Sequence, residues 1–375
     1  MNIAIYQPRV SYYVGGGEIL PLDHGMFLKK CGHKITIITT RASFIKESEY
    51  FKNYKKANKN IRIDYIDLPQ SLEWLYKIKP GENWSRWNRE SIFVGQIALK
   101  YFLKHRFDIV TVYNVVDMCA VPHEQKSALH LLGYPAKISA LYKTHLEFPD
   151  VVIAVSKYVK DKWLKMSKLK KICVAENGIK SDQFIPIDGI NKKYNILFIG
   201  RLIKIKGIDF LIKAVNILKK ENINLNVAIA SDGPEKNHLK LLTKKIGLGG
   251  SIHFLGHIKS NELVGLYNSS KMTVLPSYDR EGLLITMLES SSCGTLVITT
   301  TACSMKEFIR NEKNGILVRP KNASDLAKAI KLVYYDKNLR ERLSKNAREE
   351  IIKNWDWKVK IKKVEIIYEK LLYNH

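Results

Sequence analysis

Cysteine is scarce in this chain and never closely paired. The five residues Cys31, Cys119, Cys173, Cys293 and Cys303 are spread over 375 positions with no Cys-x-x-Cys spacing. That pattern excludes a disulfide framework and a thiolate zinc site, and each cysteine reads as a small buried residue. Long apolar runs are missing as well. The best candidate, Ile109 to Val121, carries Asn114 and Asp117 and falls short of the ~18 apolar residues that a membrane-spanning helix needs. The opening Met1-Asn2-Ile3-Ala4-Ile5-Tyr6 reads as a strand and not as a basic segment leading into an apolar signal, so a cytosolic chain is expected. No Asp-x-Asp pair occurs, and no low-complexity tract interrupts the chain.

Acidic residues are also few: 36 Asp and Glu against 62 Lys and Arg, a net charge of +26. Nucleic acid, an anionic membrane surface, phosphate-bearing small molecules or a lysine-rich solvated surface could each account for it. No nucleic-acid module is recognisable, and the cations are spread along the chain without forming one stripe, so no nucleic-acid partner is expected.

What is present is ordinary globular material, 46% hydrophobic and 26% charged, at a length that suggests two domains. Both halves open alike. Asn2 to Tyr6 is a short apolar strand leading to Gly15, Gly16 and Gly17. Asn195 to Ile199 is a second, leading to Gly200-Arg201-Leu202 and Lys206-Gly207. Helical patterns and further strands follow at Lys34 to Thr39, Ile61 to Asp67, Asp108 to Tyr113 and Val151 to Ser156. The second half repeats the alternation at Leu225 to Ala230, Ile252 to Leu255, Met272 to Pro276 and Thr295 to Thr299. Such alternation indicates βαβ units, and the nearly continuous apolar runs indicate parallel strands covered on both faces. Ile179 to Lys193, with Pro186, Asp188 and Gly189, reads as the linker. The expected architecture is α/β: two doubly wound, Rossmann-like domains facing each other across a cleft. The expected domains are 1–186 and 187–355, with a C-terminal helix at 356–375 packing back on the first.

In such sheets ligands sit outside the carboxyl ends of strands. Two stretches there carry chemistry. Arg201 and Lys206 flank the start of a helix at Ile208 to Lys219, where free amides and cations together attract phosphate. After the strand at Met272 to Leu275 comes Ser277-Tyr278-Asp279-Arg280-Glu281-Gly282-Leu283-Leu284-Ile285-Thr286-Met287-Leu288-Glu289. A helix is expected from Gly282 or Leu283. Glu281 and Glu289 then point in different directions, so they read as acceptors for two separate hydroxyl-bearing groups, with the amides of Gly282, Leu283 and Leu284 aimed at phosphate between them.

As a set, Gly200-Arg201-Leu202, Lys206-Gly207, Ser231-Asp232-Gly233-Pro234-Glu235, Phe254-Leu255-Gly256, Glu281-Gly282 and Glu289 resemble the family 4 retaining glycosyltransferases, group 1, of GT-B fold. Asn177-Gly178-Ile179 and Asn314-Gly315-Ile316-Leu317-Val318 fit the same family. The N-terminal half matches through Gly16, Gly17, Glu18 and Gly32-His33. The resemblance implies a hexosyltransferase-like enzyme moving a sugar from a UDP- or GDP-linked donor, held by the second domain, to a sugar or lipid-linked acceptor held by the first. It implies that Arg201 and Lys206 hold the donor diphosphate, that Glu289 binds the ribose and that Glu281 binds the transferred sugar. Gly17 lets backbone approach the diphosphate. The family also places a histidine of the first domain near the donor sugar, for which His123 is preferred by spacing and His145 is the alternative. The remaining histidines, His24, His33 and His257 among them, read as surface or turn residues. No metal and no cofactor are expected: cations and helix amides neutralise the leaving diphosphate.

Two further readings come from the residues alone. A nicotinamide-dependent oxidoreductase is disfavoured, because Gly15, Gly17 and Leu20 break the Gly-x-Gly-x-x-Gly pattern and no acid ends the second strand. Ser71 to Arg89, with Trp74, Trp84, Trp87, Tyr76, Lys77, Lys79, Arg86 and Arg89, combines interfacial aromatics with cations. It is expected to dock the protein peripherally on the cytosolic membrane face.

Overall fold

The computed structural model describes residues 1–77 and 84–373. The chain forms two compact units, Met1–Asn177 with Lys360–His375, and Gly178–Val359.

The first unit is built on a parallel sheet of seven strands: β1 Asn2–Tyr6, β2 Lys34–Arg41, β3 Arg62–Asp67, β4 Ile109–Val112, β5 Ser127–Leu131, β6 Val151–Ala154 and β7 Cys173–Val174, in the order β3-β2-β1-β4-β5-β6-β7. The central strands are apolar on both faces because helices cover both. Ile3, Ala4, Ile5 and Tyr6 are wholly buried. The second unit repeats the plan with six parallel strands: β8 Tyr194–Ile199, β9 Val227–Ala230, β10 Ile252–Gly256, β11 Ser270–Leu275, β12 Leu296–Thr300 and β13 Ile316–Val318, in the order β10-β9-β8-β11-β12-β13. In both sheets the order reverses beside the first strand, between β1 and β4 and between β8 and β11. These are the topological switch points where open α/β sheets bind ligands.

The sequence pattern does not reveal β5, because His130 interrupts its apolar run. The structure supplies the reason that a histidine is tolerated there. His130 Nε2 meets the Tyr368 hydroxyl at 2.9 Å, and its ring stacks on Tyr113 at 4.9 Å. His24, on the helix α1 Gly16–Lys30, bonds the Tyr113 hydroxyl through Nδ1 at 2.7 Å and packs edge-on against His130. Tyr368 belongs to the C-terminal helix Trp357–Tyr373, which the first unit also holds by His33–Glu365 (2.9 Å) and Lys363–Glu176 (2.7 Å). His24, His33 and His130 are therefore interior groups and not surface or turn residues; each is under 9% exposed.

This cluster makes the fold sensitive to acid. Burial lowers the affinity of His24 for a proton and pushes His130 down to about 3. The unfolded chain binds those protons below about pH 6.5 while the native state does not, so the histidine contribution is intact above 6.5 and is lost as pH falls towards 3. Glu18 acts in the opposite sense: burial pushes its carboxyl up to about 7, so its contribution is lost as pH rises through that value. Urea unfolding of wild type and His130→Gln between about pH 6.5 and 5 isolates His130, since Glu18 is common to both. The variant should lose up to about 1.4 kcal/mol less per pH unit than wild type. Parallel pH slopes would show that His130 does not titrate in this way.

Candidate functional site

In the second unit the loops leaving β8 and β11 flank the switch point, and they are tied together. The Tyr278 amide donates to the Ile205 carbonyl at 3.0 Å. Gly207, with φ of 67°, lies so close to β11 that a Cβ would stand 2.3 Å from the Pro276 carbonyl oxygen. Behind them Thr300 Oγ1 donates to the Ser277 carbonyl at 2.6 Å, and Leu202 N donates to the Asp232 carbonyl at 3.0 Å.

The bracing puts Lys206 Nζ 2.6 Å from Glu281 Oε1, with both side chains mostly buried. The contact is a close charge pair. Arg201, on the loop from β8, is exposed. Glu289 stands on the helix Ile285–Ser292, where the buried Tyr267 hydroxyl donates to its Oε2 at 2.6 Å. Burial and the Glu289 charge both keep that phenol protonated, so it remains a donor. Sequence reasoning misses Tyr267: in Leu266-Tyr267-Asn268 it looks like any apolar-face residue of a short helix. The helix begins at Ile285 and not at Gly282 or Leu283, so the amides of Gly282, Leu283 and Leu284 belong to the loop before it. Beside this loop a hollow of about 270 Å³ is lined by Lys204, Asp209, Phe210, Glu235, Tyr278 and Lys321, among others.

In the first unit Gly17 sits in the first turn of α1, after β1 on the carboxyl edge of the sheet. The two candidate histidines do not join it. His123 occupies the turn before β5, exposed, with its ring edge-on to Phe148 at 4.8 Å. His145 ends the helix Ala140–His145 and meets the same ring at 5.8 Å. Both surround a residue that precedes β6, on the amino edge, opposite the end where such sheets bind ligands. The spacing argument for His123 fails because it takes no account of β5.

The aromatic segment is corrected in part. Arg86 is 1% exposed, faces Glu90 at 3.8 Å and lies over the Tyr76 and Trp87 rings. Trp87 packs on Tyr13 at 5.1 Å and under Arg9. Both serve the interior of the first unit. Trp74, against Phe93, remains exposed, and Lys79 and the Trp84 side chain lie outside the described residues. Among the described residues no helix is long and apolar enough to cross a membrane.

With this geometry in hand, comparison with known proteins defines the class. The family described as Glycosyl transferases group 1 matches residues 181–350. An uncharacterised glycosyltransferase of Methanocaldococcus jannaschii is 32% identical over 94% of this chain and 93% of its own length. The chain belongs to the group 1 glycosyltransferases, and is an enzyme of that class. The N,N'-diacetylbacillosaminyl-diphospho-undecaprenol alpha-1,3-N-acetylgalactosaminyltransferase of Campylobacter jejuni is 28% identical over 63% of this chain and 65% of its own. Among solved structures, sucrose-phosphate synthase from Thermosynechococcus elongatus aligns with a TM-score of 0.79 at 20% identity, over 100% of this chain and 99% of its own. Anabaena HepE, solved with UDP, aligns at 0.76 and 17% identity over 99% and 100%. The fold is GT-B.

The loop tie gives a matched pair of substitutions. Gly247 has a similar φ of 71°, but a Cβ added there would meet nothing within 4 Å. Gly247→Ala should cost about 1–2 kcal/mol of backbone strain, and Gly207→Ala should cost about 1–3 kcal/mol more from the collision with Pro276. Chemical denaturation measures the difference; equal costs would mean that the two loops are not in forced contact.

Proposed function

We propose that the protein is a retaining, metal-independent glycosyltransferase that takes its sugar from a nucleoside-diphosphate sugar, with UDP the first base to test. The observation that carries the reading is the cluster around the β8/β11 switch point. There a mostly buried cation and a carboxylate are held against each other, with Arg201 on the same loop as the cation and a Tyr267-oriented Glu289 on the following helix. On donor binding Lys206 and Arg201 turn to the diphosphate, Glu281 to hydroxyls of the sugar and Glu289 to the ribose. The cations stabilise the leaving diphosphate, and the amides of Gly282, Leu283 and Leu284 add donors. The anomeric carbon–phosphate oxygen bond breaks and the acceptor oxygen attacks from the same face. A donor phosphate oxygen takes the acceptor's proton. The proposal proceeds without His123 or His145.

Gly17 supports the reading from the first unit. Its φ lies outside the left-handed region, and an added Cβ would meet only Leu132 Cδ1, at an ordinary 3.7 Å. Nothing in the chain's own packing calls for glycine there, as close approach by a ligand does. The Campylobacter relative's name specifies a diphospho-undecaprenol acceptor. A lipid-linked acceptor in glycan or glycolipid synthesis, reached from a membrane face through exposed Trp74 and Phe93, is the acceptor reading we favour.

Five variants test this. Arg201→Ala should cost about 2–4 kcal/mol of transition-state stabilisation. Glu289→Ala should weaken UDP binding measured by calorimetry, while Glu281→Ala should spare it and lower turnover. Gly17→Ala should match or exceed wild-type stability by up to about 1 kcal/mol yet transfer sugar poorly. Wild-type turnover in Gly17→Ala, or equal loss of UDP affinity in both glutamate variants, would refute the assignment. Co-sedimentation with anionic vesicles should fall in Trp74→Ala if the lipid-linked reading holds.

A further inference from the structure

A proline inside the first helix leaves a gap that a distant side chain fills. Pro21 lies within α1, four residues after Gly17. In an α-helix the carbonyl of residue 17 accepts from the amide of residue 21, but proline has no N–H and its ring crowds that carbonyl. The Gly17 oxygen is therefore orphaned by the helix in a part-buried turn, where a donor from the protein replaces the missing bond. Gln7, 3% exposed at the end of β1, supplies the missing donor: its Nε2 reaches the Gly17 oxygen at 3.2 Å.

The orientation of that carboxamide is not left to chance. Its Oε1 accepts from the Arg9 amide at 3.3 Å and from Arg9 Nη1 at 3.2 Å. A guanidinium can only donate, so it selects the rotamer that turns Nε2 towards Gly17. Arg9 is itself fixed. Nη1 and Nη2 donate to the two oxygens of buried Asp117 at 3.0 and 3.2 Å, and Nη2 also donates to Ser91 Oγ at 2.5 Å. The Gln7 amide donates to the Ile38 carbonyl at 3.0 Å, which anchors the backbone. A chain of bonds thus runs from Asp117 through Arg9 and Gln7 to Gly17.

We propose that Gln7 is a positioning residue that replaces the hydrogen bond removed by Pro21 and so sets the orientation of the Gly15-Gly16-Gly17 turn for the donor. The proposal rests on the reading of Gly17 as a donor contact. Small displacements of such a turn matter, since a shift of about 1 Å at a reacting centre can cost on the order of a hundredfold.

The test is a double-mutant cycle between Gln7 and Pro21. Gln7→Met, an apolar near-isostere, should lower nucleotide release from UDP- and GDP-sugars by about tenfold. Pro21→Ala restores the helical N–H, so the double variant should recover to within about threefold of its Pro21→Ala parent. Hydrogen exchange of the amides at 15–20 should quicken in Gln7→Met and slow again in the double variant. Unchanged exchange in Gln7→Met, or equal impairment with and without Pro21, overturns the positioning role. Should exchange respond as expected while turnover does not, the Gly17 donor contact is what fails. If Gln7→Met does not fold, Gln7→Glu serves in its place: it keeps the acceptor for Arg9 and cannot donate to Gly17.

Discussion

Parallel pairing on both sides of β1 and of β8 is the constraint from which the site geometry follows. A strand with parallel neighbours on each flank sends its own connection to one face of the sheet and receives the returning chain from the other, so the loops at its carboxyl end diverge and leave a crevice. In the second unit that crevice separates the loop after Ile199 from the loop after Leu275. The two are then drawn together at a single point, where Gly207 passes beside the Pro276 carbonyl and Tyr278 bonds Ile205. Lys206 and Glu281 occupy the positions next to that point. Their 2.6 Å contact lies beside the place where the two loops meet.

Two charge systems of the molecule differ in how many hydrogen bonds hold them. Arg9 and Asp117 are 3% exposed or less, and their hydrogen bonds run to Gln7, Ser91 and the Trp87 carbonyl. Removing one member leaves the other as a buried, uncompensated charge, so the system is a fixed strut. Lys206 and Glu281 face each other as a close charge pair at 2.6 Å, with side chains 16% and 11% exposed. A mostly buried pair of this kind exchanges partners without leaving a bare charge only when a new partner compensates each member. On the proposed reading, a donor phosphate does so for Lys206 and sugar hydroxyls do so for Glu281.

Strands such as β1, β2, β8 and β11 are legible because their signal is local: five to eight residues of β-branched and aliphatic side chains between turns. The same is true of the residue types after β8 and β11, which lie where a carboxyl-edge argument looks for them. What is not legible depends on partners far away in sequence. His130 breaks the pattern of β5, and only Tyr368, 238 residues later, makes it intelligible. Arg86 and Trp87 have the composition of a membrane-facing segment, yet Arg9, Glu90 and Tyr13 absorb them. Without β5, the spacing carries His123 to the wrong edge of the sheet.

Pro21 shows how a local rule can announce a non-local bond. Taken alone, proline in the second turn of a helix is a defect that removes one hydrogen bond and crowds one carbonyl. A carbonyl left without its helical partner is free to take a donor from elsewhere, and that donor must reach the residue four positions earlier. Here that residue is Gly17, and the donor comes from the strand before the loop, ten residues upstream. The glycine turn is thereby closed at both ends, through Gly15 by the Glu18 and Ile19 amides and through Gly17 by Gln7. Glycine contributes the absence of side chains, and the proline–glutamine arrangement contributes the rigidity that glycine alone cannot provide.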